Sequence, residues 1–279
     1  MRVALATCAH EVDPDAGLLV GALEDLGVDA RLEVWNDEGV DWDQYELTVV
    51  RSTWDYTSQR EAFLAWARSL ARVANPYEAL EYSSDKRYLF DLAARGHRIV
   101  PTRLVSVGET PTFYDVDFVV KPCVGAGSID ADRYAPSEGE RASAHVARLH
   151  ESGRDALIQP YVVSVDDVGE TGLVFLAGEF SHAMVKAAML NVAPDTRDRL
   201  YRAERMSRGH ADPAALALAR AVLEEVGFDL TYARVDLVPT PEGWAVMELE
   251  LVEPALFLAY DDAAPARLAR AILAHLSPR

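Results

Sequence analysis

The chain has 279 residues, with 27 lysines and arginines against 45 aspartates and glutamates, which gives a formal charge of −18. Sequence-independent binding of DNA or RNA depends on basic side chains that displace counterions, so this acidic composition argues against nucleic acid as a partner. Half of the residues are hydrophobic, which is typical of a globular protein with a large core. The length allows about two domains of roughly 150 residues each.

The chain shows no signal for a membrane or an oxidising compartment. Charged residues interrupt each apolar stretch before it reaches the roughly 18 residues that a membrane span needs. The apolar residues 3–9 are followed at once by acidic residues, which does not fit a secretory signal. Cys8 and Cys123 are the only cysteines, and neither belongs to a metal-binding or redox motif. We therefore expect a cytoplasmic protein without a membrane partner; the sequence does not indicate an oligomeric state.

The first hundred residues alternate between strand-like and helical patterns, which indicates a parallel α/β domain. Ser83, Ser84 and Asp85 resemble a helix N-cap. The predicted strands are 2–7, 31–35 and 47–50, and the predicted helices are 17–26, 58–71 and 86–95.

Strands dominate the rest of the chain and predict an α+β organisation. Asp212 before Pro213 and Gly227 after Val226 mark the two ends of the clearest helix. A charged stretch, 191–208, is predicted to be a mobile loop. The predicted strands are 118–121, 129–134, 156–159 and the hairpin 172–176 with 180–186, and the predicted helices are 138–150, 213–226 and 264–276.

The segment 232–252 predicts a β-hairpin whose turn contains two prolines and a glycine. If residues 239–243 form the loop, Arg234 lies opposite Glu248, and a slip by two residues keeps the same faces. Because side chains alternate along a strand, Asp236, Glu248 and Glu250 share one face with Arg234, while Met247, Leu249 and Leu251 share the other.

Carboxylates on neighbouring strand positions repel each other unless a cation lies between them, and a magnesium ion with oxygen ligands is a common solution. The sequence therefore predicts a magnesium site at Asp236, Glu248 and Glu250. Glu253 is a candidate fourth ligand or a substrate contact. The alternative is a solvated hairpin face in an acidic protein.

Three further segments are candidates for ligand binding. Lys121 ends a strand and precedes the small-residue loop Gly125, Ala126, Gly127, Ser128, whose backbone amides could face a phosphate. Lys86 lies at a predicted helix start, where an anion is favoured. The strand that ends at Gln159 and Pro160 leaves backbone groups beside Tyr161 that a purine edge could use. Each segment taken alone is also compatible with a structural role.

In chain order, these segments resemble the ATP-grasp superfamily between about residues 83 and 254. The resemblance implies an ATP-grasp fold: an N-terminal parallel α/β substrate domain (1–100), a small central lid subdomain (101–165) and a C-terminal α+β subdomain with the metal site (166–279). It implies ATP and Mg²⁺ as cofactors. The implied ATP contacts are Lys86, Lys121, Gly125, Gly127, Ser128, Gln159, Tyr161 and Val162.

The resemblance also implies catalytic roles. Arg234 would stabilise the transferring phosphoryl group, and Lys186 would add a phosphate contact. The family usually has Glu-x-Asn where this chain has Glu248-Leu249-Glu250, and a second carboxylate also binds magnesium. Arg51 follows a buried strand, where ligands lie in open α/β sheets, and we expect it to bind a substrate carboxylate.

The segment 51–56 and the segment 181–186 are similar to a branch of small ligases related to glutathione synthetase. That branch implies an amino-acid-like substrate, activated as an acyl phosphate and then attacked by an amine. Some members cyclise one molecule in antibiotic biosynthesis and others join two. A regulatory nucleotide-binding protein and a small-molecule kinase remain the other possibilities that the sequence leaves open.

Overall fold

The computed structural model describes residues 1–188 and 206–276. Its first sheet has four parallel strands in the order β2-β1-β3-β4. All six residues of β3 are buried, as expected for a central parallel strand. The strands are β1 (Arg2–Thr7), β2 (Asp29–Val34), β3 (Leu47–Ser52) and β4 (Val73–Ala74), with helices α1 (Ala16–Glu24) and α2 (Arg60–Ser69) between them.

The second sheet is antiparallel, with the strand order β5-β8-β6-β7. Helix α5 covers it with the buried side chains of Ala142, Val146 and Leu149. The elements between residues 77 and 168 are α3 (Tyr77–Ser83), α4 (Tyr88–Ala94), β5 (Arg103–Val105), β6 (Phe118–Pro122), β7 (Asp132–Tyr134), α5 (Gly139–Glu151), β8 (Ala156–Pro160) and α6 (Ser164–Val168).

The third sheet has five antiparallel strands in the order β11-β10-β9-β12-β13. Ala177 and Gly178 join β9 to β10 with φ values of 51° and 78°, the left-handed conformation that two-residue hairpin turns require. The elements are β9 (Glu170–Leu176), β10 (Glu179–Lys186), β11 (Met206–Gly209), α7 (Pro213–Val226), β12 (Tyr232–Thr240), β13 (Gly243–Glu250) and α8 (Ala264–Leu276).

The prediction for α7 is confirmed at both ends. The Asp212 carboxylate accepts hydrogen bonds from the amides of Ala214 (2.8 Å) and Ala215 (3.2 Å), and Gly227 has a φ of 67°. The predicted helix at 86–95 begins later, at Tyr88, because Ser83 ends the preceding helix α3 instead of capping the next one. Of the predicted loop 191–208, residues up to 205 lie outside the described residues, while residues 206–208 belong to β11.

One hydrophobic core joins the first sheet to the third, while a second buried cluster around Trp35 and Phe63 consists mainly of N-terminal residues. Helix α8 packs beside α1, and Leu5, Leu19, Val174, Leu256 and Ile272 belong to the same buried cluster. In the described parts of the chain, no helix has the length and apolar character that crossing a membrane requires.

Asn75 connects these layers through a fully buried side chain. Its amide nitrogen donates to the carbonyl oxygens of Tyr232 (2.9 Å) and Leu251 (2.8 Å), and its oxygen accepts from the amide of Thr231 (2.8 Å). We expect Asn75→Ala to lower the free energy of unfolding by about 3 kcal/mol, because it leaves several buried backbone groups without partners. Urea denaturation measures this, with the exposed Asn36→Ala as the matched control. Equal stability of the two variants would contradict the prediction.

Candidate active site

A cavity of about 330 Å³ lies between the second and third sheets and is closed by loops that follow strands of the first sheet. Its size falls within the usual range for small-molecule sites. Most of the side chains predicted to bind a ligand line it. These are Lys86, Lys121, Gly125, Gly127, Ser128, Gln159, Tyr161, Val162, Lys186, Arg234, Glu248 and Glu250.

Glu248 lies between two lysines that come from different parts of the chain. Lys121, on β6, places its Nζ 2.8 Å from Oε1 of Glu248, and Lys86 places its Nζ 3.8 Å from Oε2. Lys86 also donates to the carbonyl oxygen of Gly125 at 2.5 Å, which ties it to the small-residue loop. Burial raises the pKa of Glu248, but Lys121, Lys86 and Lys186 together outweigh it and hold the pKa well below its usual range.

Arg234 organises the opposite side of the same face. Its guanidinium donates to both oxygens of Asp236, at 2.8 and 2.9 Å, and to Oε1 of Glu250 at 2.5 Å. It also donates to the carbonyl oxygen of Ala255 at 2.9 Å. Paired bonds of this kind fix an arginine more firmly than a single contact does.

Lys186 pairs with Glu170, a cavity residue that the sequence analysis missed. Their Nζ and Oε1 atoms are 3.2 Å apart, and Asp236 lies 4.0 Å from the same Nζ. Burial raises the pKa of Glu170 to about 7. Repulsion from Asp236 and Glu248 also raises this pKa, and the attraction of Lys186 lowers it only in part. The register of the predicted hairpin could have identified this pair. If β9 starts two residues earlier than predicted, Glu170 lies directly opposite Lys186.

The hairpin register differs from the prediction, although the predicted carboxylate face is correct. Arg234 lies opposite Glu250, not Glu248, and Asp236 lies opposite Glu248. The turn has two residues, which shifts the register by one, and an irregularity after Asp236 shifts it by one more. The two shifts together restore the original face.

Met247 is the residue for which the predicted face was wrong. The irregularity turns Met247 toward the cavity, and Val246 enters the buried cluster with Leu249 and Leu251 in its place. An extra residue in one strand reverses the alternation on one side of it, so a hairpin read at strict alternation misplaces the residue at the bulge.

The three predicted magnesium ligands do not converge on one point. In residues 1–188 and 206–276, no group of three or more His, Cys, Asp or Glu side chains is placed to hold a metal ion. The reason is local charge pairing: Arg234 holds Asp236 and Glu250, whereas Lys121 holds Glu248. Cationic side chains thus take the place between the carboxylates that the sequence analysis assigned to a metal.

The small-residue loop and the end of β8 form the other wall. Gly127 and Ser128 have φ values of 58° and 56°, and a Cβ on Gly125 would lie 2.9 Å from Pro122. Gln159 donates to the hydroxyl of Thr102 at 2.8 Å.

Beyond Gln159, an aromatic ring lies where β8 ends. Tyr161 lines the cavity, and the Arg133 guanidinium is 3.7 Å from the centre of its ring. Val162 packs with the cluster of Val100 and Val238. Flat aromatic and apolar surfaces beside backbone polar groups suit a planar heterocycle.

Arg51 is not among the residues that line the cavity, and its role as a substrate contact stays a prediction. Only 2 % of it is exposed, and its guanidinium donates to the carbonyl oxygen of Pro254 (3.3 Å) and to the Asp13 carboxylate (3.5 Å). The strand that carries it turns the side chain into the interior. Trp54 and Tyr56, from the same predicted segment, do line the cavity.

Residues 253–258, which we call the 253–258 segment, follow β13 and form part of the cavity wall. Side chains from distant parts of the chain hold its backbone at nearly every residue. The contacts are Trp54 to Glu253 O (3.1 Å), Arg51 to Pro254 O (3.3 Å), Arg234 to Ala255 O (2.9 Å), His182 to Leu256 O (2.8 Å) and Leu258 N to Asp15 (2.8 Å).

Glu253 begins this segment and is only 8 % exposed. Burial raises its pKa from 4.5 to about 7, against the attraction of Lys86, Arg234 and Arg51. The folded protein therefore holds a proton on Glu253 that the unfolded chain loses near pH 4.5. The stability that this proton provides is present at low pH and is lost as the pH rises through about 7.

We expect Glu253→Gln to remove this pH dependence. A shift of this size corresponds to about 3 kcal/mol, so the ligand-free wild type should lose that much stability relative to the variant between pH 4.5 and 8. Denaturant unfolding at several pH values measures the difference, with the exposed Glu179→Gln as control. Parallel pH profiles for wild type and Glu253→Gln would contradict the raised pKa.

The family model described as the N-terminal domain of D-cycloserine synthetase DcsG matches residues 3–75. The cycloserine biosynthesis protein DcsG of Streptomyces lavendulae is 37% identical over 96% of this chain and 95% of its own length. A crystal structure of D-cycloserine synthetase DcsG has a TM-score of 0.87 and 36% identity, covering 99% of this chain and 100% of that one. An ATP-grasp RimK domain protein from Sphaerobacter thermophilus DSM 20745 has a TM-score of 0.68 and 18% identity, covering 98% of this chain and 100% of that one.

The three sheets and the cavity with its four cationic side chains, together with these matches, define an ATP-dependent ligase with the ATP-grasp fold. The predicted superfamily and fold class are thereby confirmed. The chain belongs to the family of the cycloserine biosynthesis protein DcsG.

Proposed function

We propose that this enzyme uses ATP to phosphorylate the carboxylate of O-ureido-D-serine, and that the oxygen-bound nitrogen of the ureido group then displaces phosphate and closes the ring. Water would remove the carbamoyl group from that nitrogen as carbon dioxide and ammonia, which gives D-cycloserine. The similarity to DcsG over nearly the whole chain supports the substrate. The observation that supports the chemistry is the convergence of Lys86, Lys121, Lys186 and Arg234 on one cavity. Such a set of cations stabilises a transferring phosphoryl group.

The proposed phosphate contacts are the side chains that already hold anions. Lys86 and Lys121 both contact the Glu248 carboxylate, so an incoming phosphate would replace one anion by another. The loop of Gly125, Gly127 and Ser128 would present backbone amides to the phosphate oxygens. Arg234, fixed by Asp236, would meet the charge that develops on the transferring group.

The residues present fit a magnesium ion by donor type. Asp236, Glu248 and Glu250 supply hard carboxylate oxygens on one face of β12 and β13, which is the donor set that Mg²⁺ prefers. We propose that these three side chains would hold the ion when ATP is bound, and that the rearrangement this requires includes the ion pairs that Lys86, Lys121 and Arg234 form with them. A bound Mg²⁺ would neutralise phosphate charge during the transfer.

The base of ATP is proposed to lie against the end of β8. Gln159, Tyr161 and Val162 line that end of the cavity and combine a polar side chain with flat apolar surface.

We retain as a proposal the division of the chain into three domains at residues 1–100, 101–165 and 166–279. A small-molecule substrate and the need for cellular ATP support the expected cytoplasmic location.

ADP release with Mg-ATP tests the function against a panel of amino acids and ureido-amino acids, each with and without a second amine, with products identified by mass. ADP release with O-ureido-D-serine alone and a cyclised product is the expected result. Dependence on a second amine would instead indicate an intermolecular ligase. A stable phosphorylated product would indicate a kinase, and ATP binding without ADP release would indicate a regulatory protein.

A further inference from the structure

The charged side chains of the cavity pair with each other almost completely. Lys121 and Lys86 contact Glu248, Lys186 contacts Glu170, and Arg234 contacts Asp236 and Glu250. Every cation that lines the cavity in this set therefore has a carboxylate within 4.0 Å. One cavity carboxylate remains to be accounted for.

That carboxylate is Glu253. More than nine-tenths of it is buried, it lines the cavity, and no ion pair joins its side chain to any residue in the described parts of the chain. The cations that attract it from a distance are Lys86, Arg234 and Arg51, and each is held by another anion or carbonyl group. Burying a carboxylate without a counter-charge is costly, so such a group in a cavity is a candidate to meet a cationic ligand.

We propose that Glu253 binds the protonated amine of the substrate, which limits the enzyme to acids that carry an ammonium group. This inference rests on the proposed function, because it assigns one end of the amino-acid-like substrate. It also decides between the two roles that the sequence left open for Glu253, a metal ligand or a substrate contact.

The position of Glu253 supports a substrate role over a metal role. Asp236, Glu248 and Glu250 lie on the strands β12 and β13, whereas Glu253 lies beyond the end of β13 in the 253–258 segment. Trp54 holds the backbone of Glu253 itself, and Trp54 and Tyr56 line the cavity from the first sheet. Glu253 therefore lines the cavity together with Trp54 and Tyr56 of the N-terminal α/β layer, and it lies outside the two strands that carry the proposed metal ligands.

The backbone around Glu253 is held in place by several hydrogen bonds. An amine that forms a charge-assisted hydrogen bond needs an acceptor in a fixed place, and the hydrogen bonds along residues 253–258 provide that. The raised pKa of Glu253 in the ligand-free protein agrees with a carboxylate whose counter-charge arrives with the ligand.

The test compares two acids that differ only in the amine: O-ureido-D-serine and its deamino counterpart, 3-(ureidooxy)propanoic acid. ADP release is measured for wild type, Glu253→Gln and the exposed control Glu179→Gln. We expect Glu253→Gln to lose about tenfold to a hundredfold in kcat/KM for the amine-bearing acid, the value of a hydrogen bond to a charged group. Its kcat/KM for the deamino acid, its KM for ATP and its Mg²⁺ requirement should stay within about twofold of wild type.

Three results would overturn the proposal: an equal loss on both acids, a shift in the Mg²⁺ requirement as for a metal ligand, or an unchanged preference for the amine. Glu253→Asp keeps the charge and should retain part of the preference, which covers the case in which the glutamine variant does not fold. If wild type releases no ADP with either acid, the proposed function fails separately. Calorimetry with D-serine against 3-hydroxypropanoate, in the presence of Mg²⁺ and a non-hydrolysable ATP analogue, then tests Glu253 directly by the same comparison.

Discussion

Glu248→Ala is expected to lower ADP release more than a thousandfold. Glu248 is the carboxylate that two lysines share, and we propose it as a metal ligand, so the change removes the group that links the phosphate contacts to the metal. The side chain faces the cavity and not the core, so the fold should persist. Steady-state ADP release and circular dichroism together measure both parts of this expectation.

The matched control is Glu242→Ala, which removes an exposed carboxylate from the turn of the same hairpin. We expect this variant to keep wild-type turnover. A folded Glu248→Ala enzyme with normal activity would exclude Glu248 from the site and with it the proposed metal position.

Arg234→Lys should lower turnover about a hundredfold or more while it preserves the net charge. Lysine cannot reproduce the two parallel bonds to Asp236 together with the bonds to Glu250 and Ala255, so the cation would no longer be fixed where phosphoryl charge develops. The KM for ATP should change less than kcat, because the loss falls mainly on the transition state. Pre-steady-state ADP formation measures the chemical step itself.

A contrasting variant, Arg234→Ala, is expected to reduce stability as well. It leaves the buried Asp236 with only Lys186, at 4.0 Å, as a cation, and removing one partner of a buried pair costs about 3–5 kcal/mol. If Arg234→Lys retained full kcat, the guanidinium would be a structural group only, and the proposed contact with the transferring phosphoryl group would have to be withdrawn.

Local patterns predicted most of the fold. Helix α7 and helix α8 agree with the predicted bounds because a capping aspartate, an N-terminal proline and apolar spacing act within a few residues. The predicted start of the helix near Lys86 was wrong because Ser83 and Ser84 are compatible with the end of a helix as well as with its start. Short polar residues favour both kinds of terminus, so their direction depends on contacts far along the chain.

The site was predictable as a set of residues but not as a set of contacts. Alternation along β12 and β13 placed Asp236, Glu248 and Glu250 on one face, whereas the bulge beside Met247 depends on the packing of a whole sheet. Arg51 follows a strand in the position where ligands often bind, yet its side chain turns inward to Pro254, about two hundred residues later. The spacing of residues along the sequence does not indicate that Arg51 and Pro254 are in contact.

The 253–258 segment has a consequence for attempts to change the substrate by exchanging short loops with relatives. Its supports include Trp54, Arg51, Asp15 and His182, which come from three separate regions of the chain. A graft of residues 253–258 alone would arrive without the donors and acceptors that shape it. The residues that determine specificity therefore lie in several separate regions of the chain. Chimaeras between homologues should keep activity best when all of these regions come from the same parent.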